Sequence, residues 1–239
     1  KKGLKKNQID FLTKTFETSK DYGIDIRTNK SDEAEIITWI KEAKAMSDYV
    51  LVSIHCHEDP SGGYSSNGQR EQTPEFLREF SKKILDNGAD VVAGHGPHVL
   101  RGMEIYKNKP IFYSLGNFIF QNDTVKWQPS QNYDIHNLDF SSTPADFYDA
   151  RSNNGSRGFV SDPIYWESIV AKITFDSRKL SNVELFPINL GHGKARAISG
   201  RPMIADNSIG DTILERIKTL SEKYGTTIKI QDNIGKIEL

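Results

Sequence analysis

Cysteine is nearly missing from this 239-residue chain: Cys56 stands alone, so no internal disulfide can form. A chain this long can bury a core without covalent staples, so the lone thiol says little about redox compartment. No apolar run approaches the about 18 residues that read as a bilayer-spanning helix, and no signal-peptide pattern opens the sequence. Excess charge of either sign is missing too: 31 Lys and Arg face 32 Asp and Glu, for a formal charge of -1. That balance excludes a basic face built to neutralise a nucleic-acid backbone. The chain starts on Lys1 rather than Met and reads as a fragment or processed piece, with any targeting segment outside it.

What is present is a globular balance, 36% hydrophobic and 26% charged. Residues 5–20 place Ile9, Leu12, Thr13 and Phe16 on one face and predict a surface helix. Residues 32–47 predict a stronger one, capped by Ser31, with Asp32 and Glu33 at its positive end and a stripe of Ile36, Ile37, Ile40 and Ala43. The run YVLVSI at 49–54 is short and β-branched, and reads as a buried strand ending in HCHEDP. After a loop over 59–72, Thr73 is expected to cap a helix with Pro74 at its first position and Gly88 at its close. A second buried strand, DVVAG, ends in HGPH. Strand, helix, strand predicts parallel pairing with both histidine loops at carboxyl ends, where sites of open α/β sheets gather.

Further on, 105–120 reads as a hairpin around Lys107, Asn108 and Lys109, and 121–163 as a long irregular stretch. Residues 168–176 and 182–190 read as antiparallel strands, 208–224 as a helix ending at Gly225, and the last residues as a hairpin around Asp232 and Asn233. One domain over 1–239 accommodates all of this.

Imidazole binds borderline transition metals and moves protons near neutrality. His55 and His57 share one face of an extended segment, with Cys56 turned the other way as a small buried side chain. His95 and His98 flank Gly96 and Pro97 in a tight turn. Local turn hydrogen bonding is the bland alternative for His95 and His98, and orienting a ligand or facing substrate the alternative for His57. Glu58 is placed to take a proton or hold an imidazole; Glu104 is a candidate for support behind the ligands, and Asp90 belongs at the far end of its strand. Arg101 is either an anion-binding fork or a solvated surface arginine. Asn117 is either a structural amide between strands or an oxyanion donor. His136 and His192 are isolated, His192 being the one placed to approach substrate. No carboxylate has the context to bridge two cations, so these histidines suit one metal better than two.

The stretches LVSIHCHEDP and GADVVAGHGPHVLRGMEIYKNKPIFYSLGNFIF resemble the CapA-type proteins of poly-γ-glutamate capsule synthesis, within the calcineurin-like metallophosphatase superfamily. GRPMIADNS and LSEKYGTTIKI are similar to that family's carboxy-terminal region. The resemblance implies an α/β fold: a two-sheet sandwich of metallophosphatase type with flanking helices, here partial at its amino terminus. It implies His55, His95 and His98 as metal ligands and His57 and Glu58 as catalytic groups, with Arg101, Asn117 and His192 toward substrate. The Cys56–His57 pair stands where the family commonly has Trp-Gly. The implied cofactors are divalent ions, two in the complete protein, as manganese, iron or zinc. The implied partners are an anionic polymer or phosphorylated small substrate and membrane-associated capsule machinery at the extracytoplasmic face of the cell envelope. The remaining ligands are expected before residue 1. A metal-dependent hydrolase and a non-catalytic polymer-binding component of capsule assembly are the competing functions.

Overall fold

A computed structural model describes residues 7–11, 14–18, 26–61 and 69–239. The helix expected over 5–20 is overturned. Its described residues form a hairpin of β1 (Gln8–Phe11) and β2 (Lys14–Glu17), antiparallel with Ile9 opposite Phe16. Ile9 and Phe11 alternate at period two, and the Phe11 and Phe16 rings approach to 6.5 Å across the strands. Cross-strand pairing thus uses the same apolar residues that a helical wheel would gather on one face. Leu12 and Thr13 lie outside the described residues.

Helix α1 (Lys30–Met46) is capped by Asn29, not Ser31: the Asn29 side chain accepts from Ser31 N–H at 3.0 Å. Helix α2 (Glu75–Asp86) likewise departs from expectation, since Pro74 occupies the cap position and the buried Thr73 hydroxyl has no hydrogen-bond partner among the described residues. Between them runs β3 (Leu51–His55), and after α2 comes β4 (Val91–His95), parallel to β3. The hairpin β5 (Leu100–Tyr106) and β6 (Lys109–Leu115) completes a mixed sheet in the order β3-β4-β6-β5. Its turn places Lys107 and Asn108 at φ 49° and 62°, the left-handed pair of a tight two-residue hairpin.

β3 is not the buried strand its composition suggests. It is the sheet's outer strand among the described residues, and Leu51, Ser53 and His55 on one face are exposed. A β-branched run fits either place; burial depends on what lies beside it, which local sequence does not encode.

The segment 121–163 is not wholly irregular. It holds α3 (Ser130–Ile135) and α4 (Pro144–Ser152), the latter fixed by a reciprocal Thr143–Asp146 capping box. Two 3₁₀ turns, Gly158–Ser161 and Pro163–Trp166, lead into a second, antiparallel sheet. That sheet contains β7 (Glu167–Asp176), β8 (Lys179–Asn189), the short β9 (Met203–Ile204), and the terminal hairpin β10 (Ile228–Gln231) and β11 (Ile234–Ile237). Helix α5 (Asn207–Glu222) packs on β5 and β8.

The architecture is α/β, two sheets with flanking helices. On one face of the first sheet, Ile37 and Ile40 of α1 and Leu77 and Ile84 of α2 pack with Val92 and Ile111. On the other, Leu100, Met103 and Phe112 meet Val183 and Leu185 of the second sheet and Ile213 and Leu214 of α5. Each such side chain contributes about 1.5–3 kcal/mol through burial. These two cores anchor the strands whose carboxyl ends carry the histidines. Among the described residues no helix is long and apolar enough to cross a membrane.

Candidate functional site

The parallel register pairs Leu51 with Val91 and, four residues on, His55 with His95. Both imidazoles therefore stand at the last rung of adjacent strands. The Cys56 N–H then donates to the His95 carbonyl at 2.8 Å, carrying the ladder one residue past the strands. Gly96 makes this closeness possible: its φ is 124°, and a Cβ there would lie 2.9 Å from the backbone C and N of Cys56. Cys56 itself is buried, as its place between two outward histidines requires.

The four rings form a continuous row. His95 and His55 have centroids 4.9 Å apart, His55 and His57 4.8 Å, and His57 and His98 5.4 Å. Nδ1 of His55 and Nδ1 of His95 approach to 3.1 Å, and Nε2 of His95 lies 2.9 Å from the Ser53 hydroxyl. Two tautomeric arrangements satisfy this chain. In one, a single proton sits between the two Nδ1 atoms. In the other, His95 Nε2–H donates to Ser53 and both Nδ1 lone pairs face one point. Two imidazole nitrogens on one tetrahedral ion stand roughly 3.3 Å apart, so the second arrangement matches a two-nitrogen donor pair. No third donor joins them: among the described residues no three His, Cys, Asp or Glu side chains converge as a metal site.

His98 is held separately. Its backbone is left-handed, φ 62°, unusual for a residue with a side chain. Asn117 Nδ2 donates to the carbonyls of His98 (3.2 Å) and Tyr165 (2.9 Å). The amide oxygen must then face His98 Nδ1, 2.8 Å away, and that nitrogen must carry a hydrogen. The Nε2 of a neutral His98 is left with a free lone pair. Both hydrogens of the Asn117 amide are thus engaged by backbone carbonyls and its oxygen by the His98 ring.

Electrostatics favour the neutral forms of His57 and His95. Burial, then the neighbouring His55 charge, holds both His57 and His95 below the ordinary histidine value, with His98 adding to the effect at His57. The Glu58 carboxyl is held below its usual range by its own backbone N–H and by the Cys56 thiol, which donates at 3.2 Å. Burial and that same carboxylate push the thiol up to about 11, so Cys56 stands as a neutral donor to Glu58.

Arg101 is fully buried, which overturns the solvated-surface alternative. Its Nε donates to the Arg70 carbonyl at 2.9 Å and Nη2 to the Glu58 carbonyl at 2.8 Å, so it fastens the loop after His57 from beneath. Glu104 does not support the histidines: it accepts from Tyr113 Oη at 2.7 Å and pairs with Lys82 at 2.8 Å. Asp90 holds Val50 N–H and Lys44 at the opposite strand end, as expected. His192 is exposed, its Nε2 3.0 Å from the Val160 carbonyl. His136 packs on Phe147, 5.6 Å between centroids, away from the row.

Several neighbours escaped the sequence reading. Ser53 lies two residues before His55 on the same face, and period two alone could have named it. Phe159, 5.5 Å from His98 between ring centroids, and Tyr165, whose carbonyl anchors Asn117, come from distant segments with no local signal.

With this geometry in view, comparison with known proteins places the chain. The family profile of the bacterial capsule synthesis protein PGA_cap matches residues 3–122, half of the chain and the half that holds both histidine loops. The chain belongs to the PGA_cap family. Among curated PGA_cap-like relatives, the uncharacterized protein y4sH of Sinorhizobium fredii (strain NBRC 101917 / NGR234) is 38% identical over 232 residues, 94% of this chain and 49% of the relative. The PGA biosynthesis protein CapA of Bacillus subtilis (strain 168) is 30% identical over 159 residues, 64% of this chain and 38% of its own length. The capsule biosynthesis protein CapA of Bacillus anthracis is 29% identical over 136 residues, 57% of this chain and 31% of the relative. This PGA_cap chain thus spans about half the length, 49%, of the relative it matches over most of its residues.

Proposed function

We propose that this protein is a component of capsule or poly-γ-glutamate synthesis that holds an anionic glutamyl polymer along the histidine row. It would do so at the extracytoplasmic face of the cell envelope, beside membrane-associated capsule machinery. The observation that carries this reading is the PGA_cap match over residues 3–122, which encloses His55, His57, His95 and His98. The chemistry of the row supports it. A neutral His57 can present an N–H donor to a carboxylate, and His192 stands exposed near the same end of the fold. The test is deletion of the parent gene, with surface polymer as the readout, alongside binding of poly-γ-glutamate to the full-length protein. Loss of polymer on deletion, together with saturable, salt-sensitive binding, is expected. Unchanged polymer output on deletion would sink the reading.

A second reading, a metal-dependent hydrolase of metallophosphatase type acting on a phosphoester, is favoured by the 3.1 Å approach of the His55 and His95 Nδ1 atoms. His55, His95 and His98 would hold the divalent ions, two in the complete protein, as manganese, iron or zinc. Such ions supply an activated water and charge stabilisation. Ser53 would then fix the His95 tautomer and Asn117 that of His98, while Glu58 and His57 take the proton. Metal analysis and phosphodiesterase assay of the full-length protein separate the two readings. Stoichiometric metal with activity lost in His95→Ala supports hydrolysis; a metal-free, inactive protein that still binds polymer refutes it.

A further inference from the structure

A cavity of about 410 Å³ opens beside the histidine row. Phe159 lines it and also packs on His98, and Tyr165 lines it while its carbonyl anchors Asn117. Three guanidinium groups border it: Arg70, Arg151 and Arg157. Arg70 is spoken for, since it pairs with Asp162 and lies 4.8 Å over the Tyr165 ring. The other acidic group in the wall, Asp123, pairs with Arg196.

Arg151 and Arg157 differ. Among the described residues neither has a carboxylate partner. Their one side-chain bond runs from Arg157 Nε to the Arg151 carbonyl at 3.0 Å. That bond, with Arg157 N–H donating to Ser152 O at 3.0 Å, folds the loop after α4 back so that both arginines face one cavity. Asn153 and Asn154, left-handed at φ 50° and 54°, make the reversal. Two cations that line one cavity without a carboxylate partner make it attractive to an anion. The guanidinium fork matches a carboxylate in plane, through two parallel hydrogen bonds.

We propose that this cavity is the seat for the carboxylate groups of a γ-linked glutamyl chain, with Arg151 and Arg157 as its anion-binding residues and Phe159 as the wall shared with the histidine row. This rests on the polymer-binding reading above. It adds where beside that row the polymer is gripped.

The test uses the full-length protein and a fluorescein-labelled short γ-linked glutamate oligomer, read by anisotropy. Variants are the double substitution Arg151→Ala with Arg157→Ala, the charge-keeping Lys pair at the same positions, and His95→Ala with His98→Ala. Both arginines are exposed, and circular dichroism checks that each variant folds. Removing two charge-assisted contacts should weaken binding by about 10- to 100-fold and flatten its salt dependence, whereas the Lys pair should restore the salt dependence but only part of the affinity, because an ammonium cannot make the fork's two parallel hydrogen bonds. Inorganic phosphate should compete only weakly if the seat is built for carboxylates. Affinity unchanged in the double Ala variant overturns the seat and leaves the polymer reading standing. Phosphate displacing the oligomer at equal concentration overturns the carboxylate assignment. No binding by the unaltered protein overturns both.

Discussion

Gly88 and Gly96 have nearly the same φ, 122° and 124°, but different surroundings. A Cβ on Gly88 would meet Cβ and Cγ of Lys44 at 3.3 and 3.4 Å, tight contacts that a shift of a few tenths of an ångström relieves. A Cβ on Gly96 would sit 2.9 Å from the Cys56 backbone, in the ladder that joins the two histidine loops, and that backbone has nowhere to go. Alanine at either position carries the cost of a φ that L-residues rarely adopt, about 1–3 kcal/mol. Gly96→Ala adds an overpacking cost of about another 1–3 kcal/mol, for a total of roughly 2–6 kcal/mol. Because the strain is matched, the difference between the variants isolates the backbone contact. Urea unfolding gives that difference as a shift in midpoint at unchanged slope. Native-state amide exchange at Cys56 supplies a local readout, since the Cys56 N–H to His95 carbonyl bond is the one that must lengthen. Equal destabilisation by the two substitutions, or unaltered protection of the Cys56 amide in Gly96→Ala, would refute the claim that glycine is required there by backbone proximity.

Asn117→Ala removes three hydrogen bonds that set the His98 backbone and ring, and should cost about 1–3 kcal/mol in urea unfolding. In ¹⁵N imidazole spectra His98 should lose its fixed Nδ1–H tautomer, and a retained tautomer would show that Asn117 does not set it. In the metal-free protein, His57 and His95 should titrate below the ordinary 6.5. The unfolded chain then binds protons more readily than the folded one. Their stabilisation is fully present above about pH 6.5 and is lost as pH falls through the depressed folded values. NMR titration together with urea midpoints at about pH 7.5 and about pH 5.5 checks this, and a higher midpoint at the lower pH would contradict the sign.

The parts of the fold legible in the sequence are those whose signals are local. The β3–α2–β4 unit, the turns at Lys107–Asn108 and Asp232–Asn233, and the stop of α5 before Gly225 each rest on residues within a few positions of one another. So does the pairing of the histidine loops, because parallel strands joined by one helix leave little freedom in where their ends lie. The Thr143–Asp146 capping box was equally local, yet the polar composition around it hid α4. What could not be read depended on distance along the chain. Arg101 looks like a surface residue until Arg70, 31 positions away, and Glu58, 43 positions away, are seen to bind it. The exposure of β3 and the hairpin at 8–17 likewise turn on neighbours, not on propensity.

The outer position of β3 has a consequence of its own. The sequence Leu-Val-Ser-Ile-His contains no lysine, no proline and no bulge, the features by which edge strands usually discourage pairing. Among the described residues one row of its backbone groups has no strand beside it, and an extended segment could pair there. Such a segment would end its run beside His55, the strand's last residue. A segment pairing there would deliver new side chains to the imidazole row.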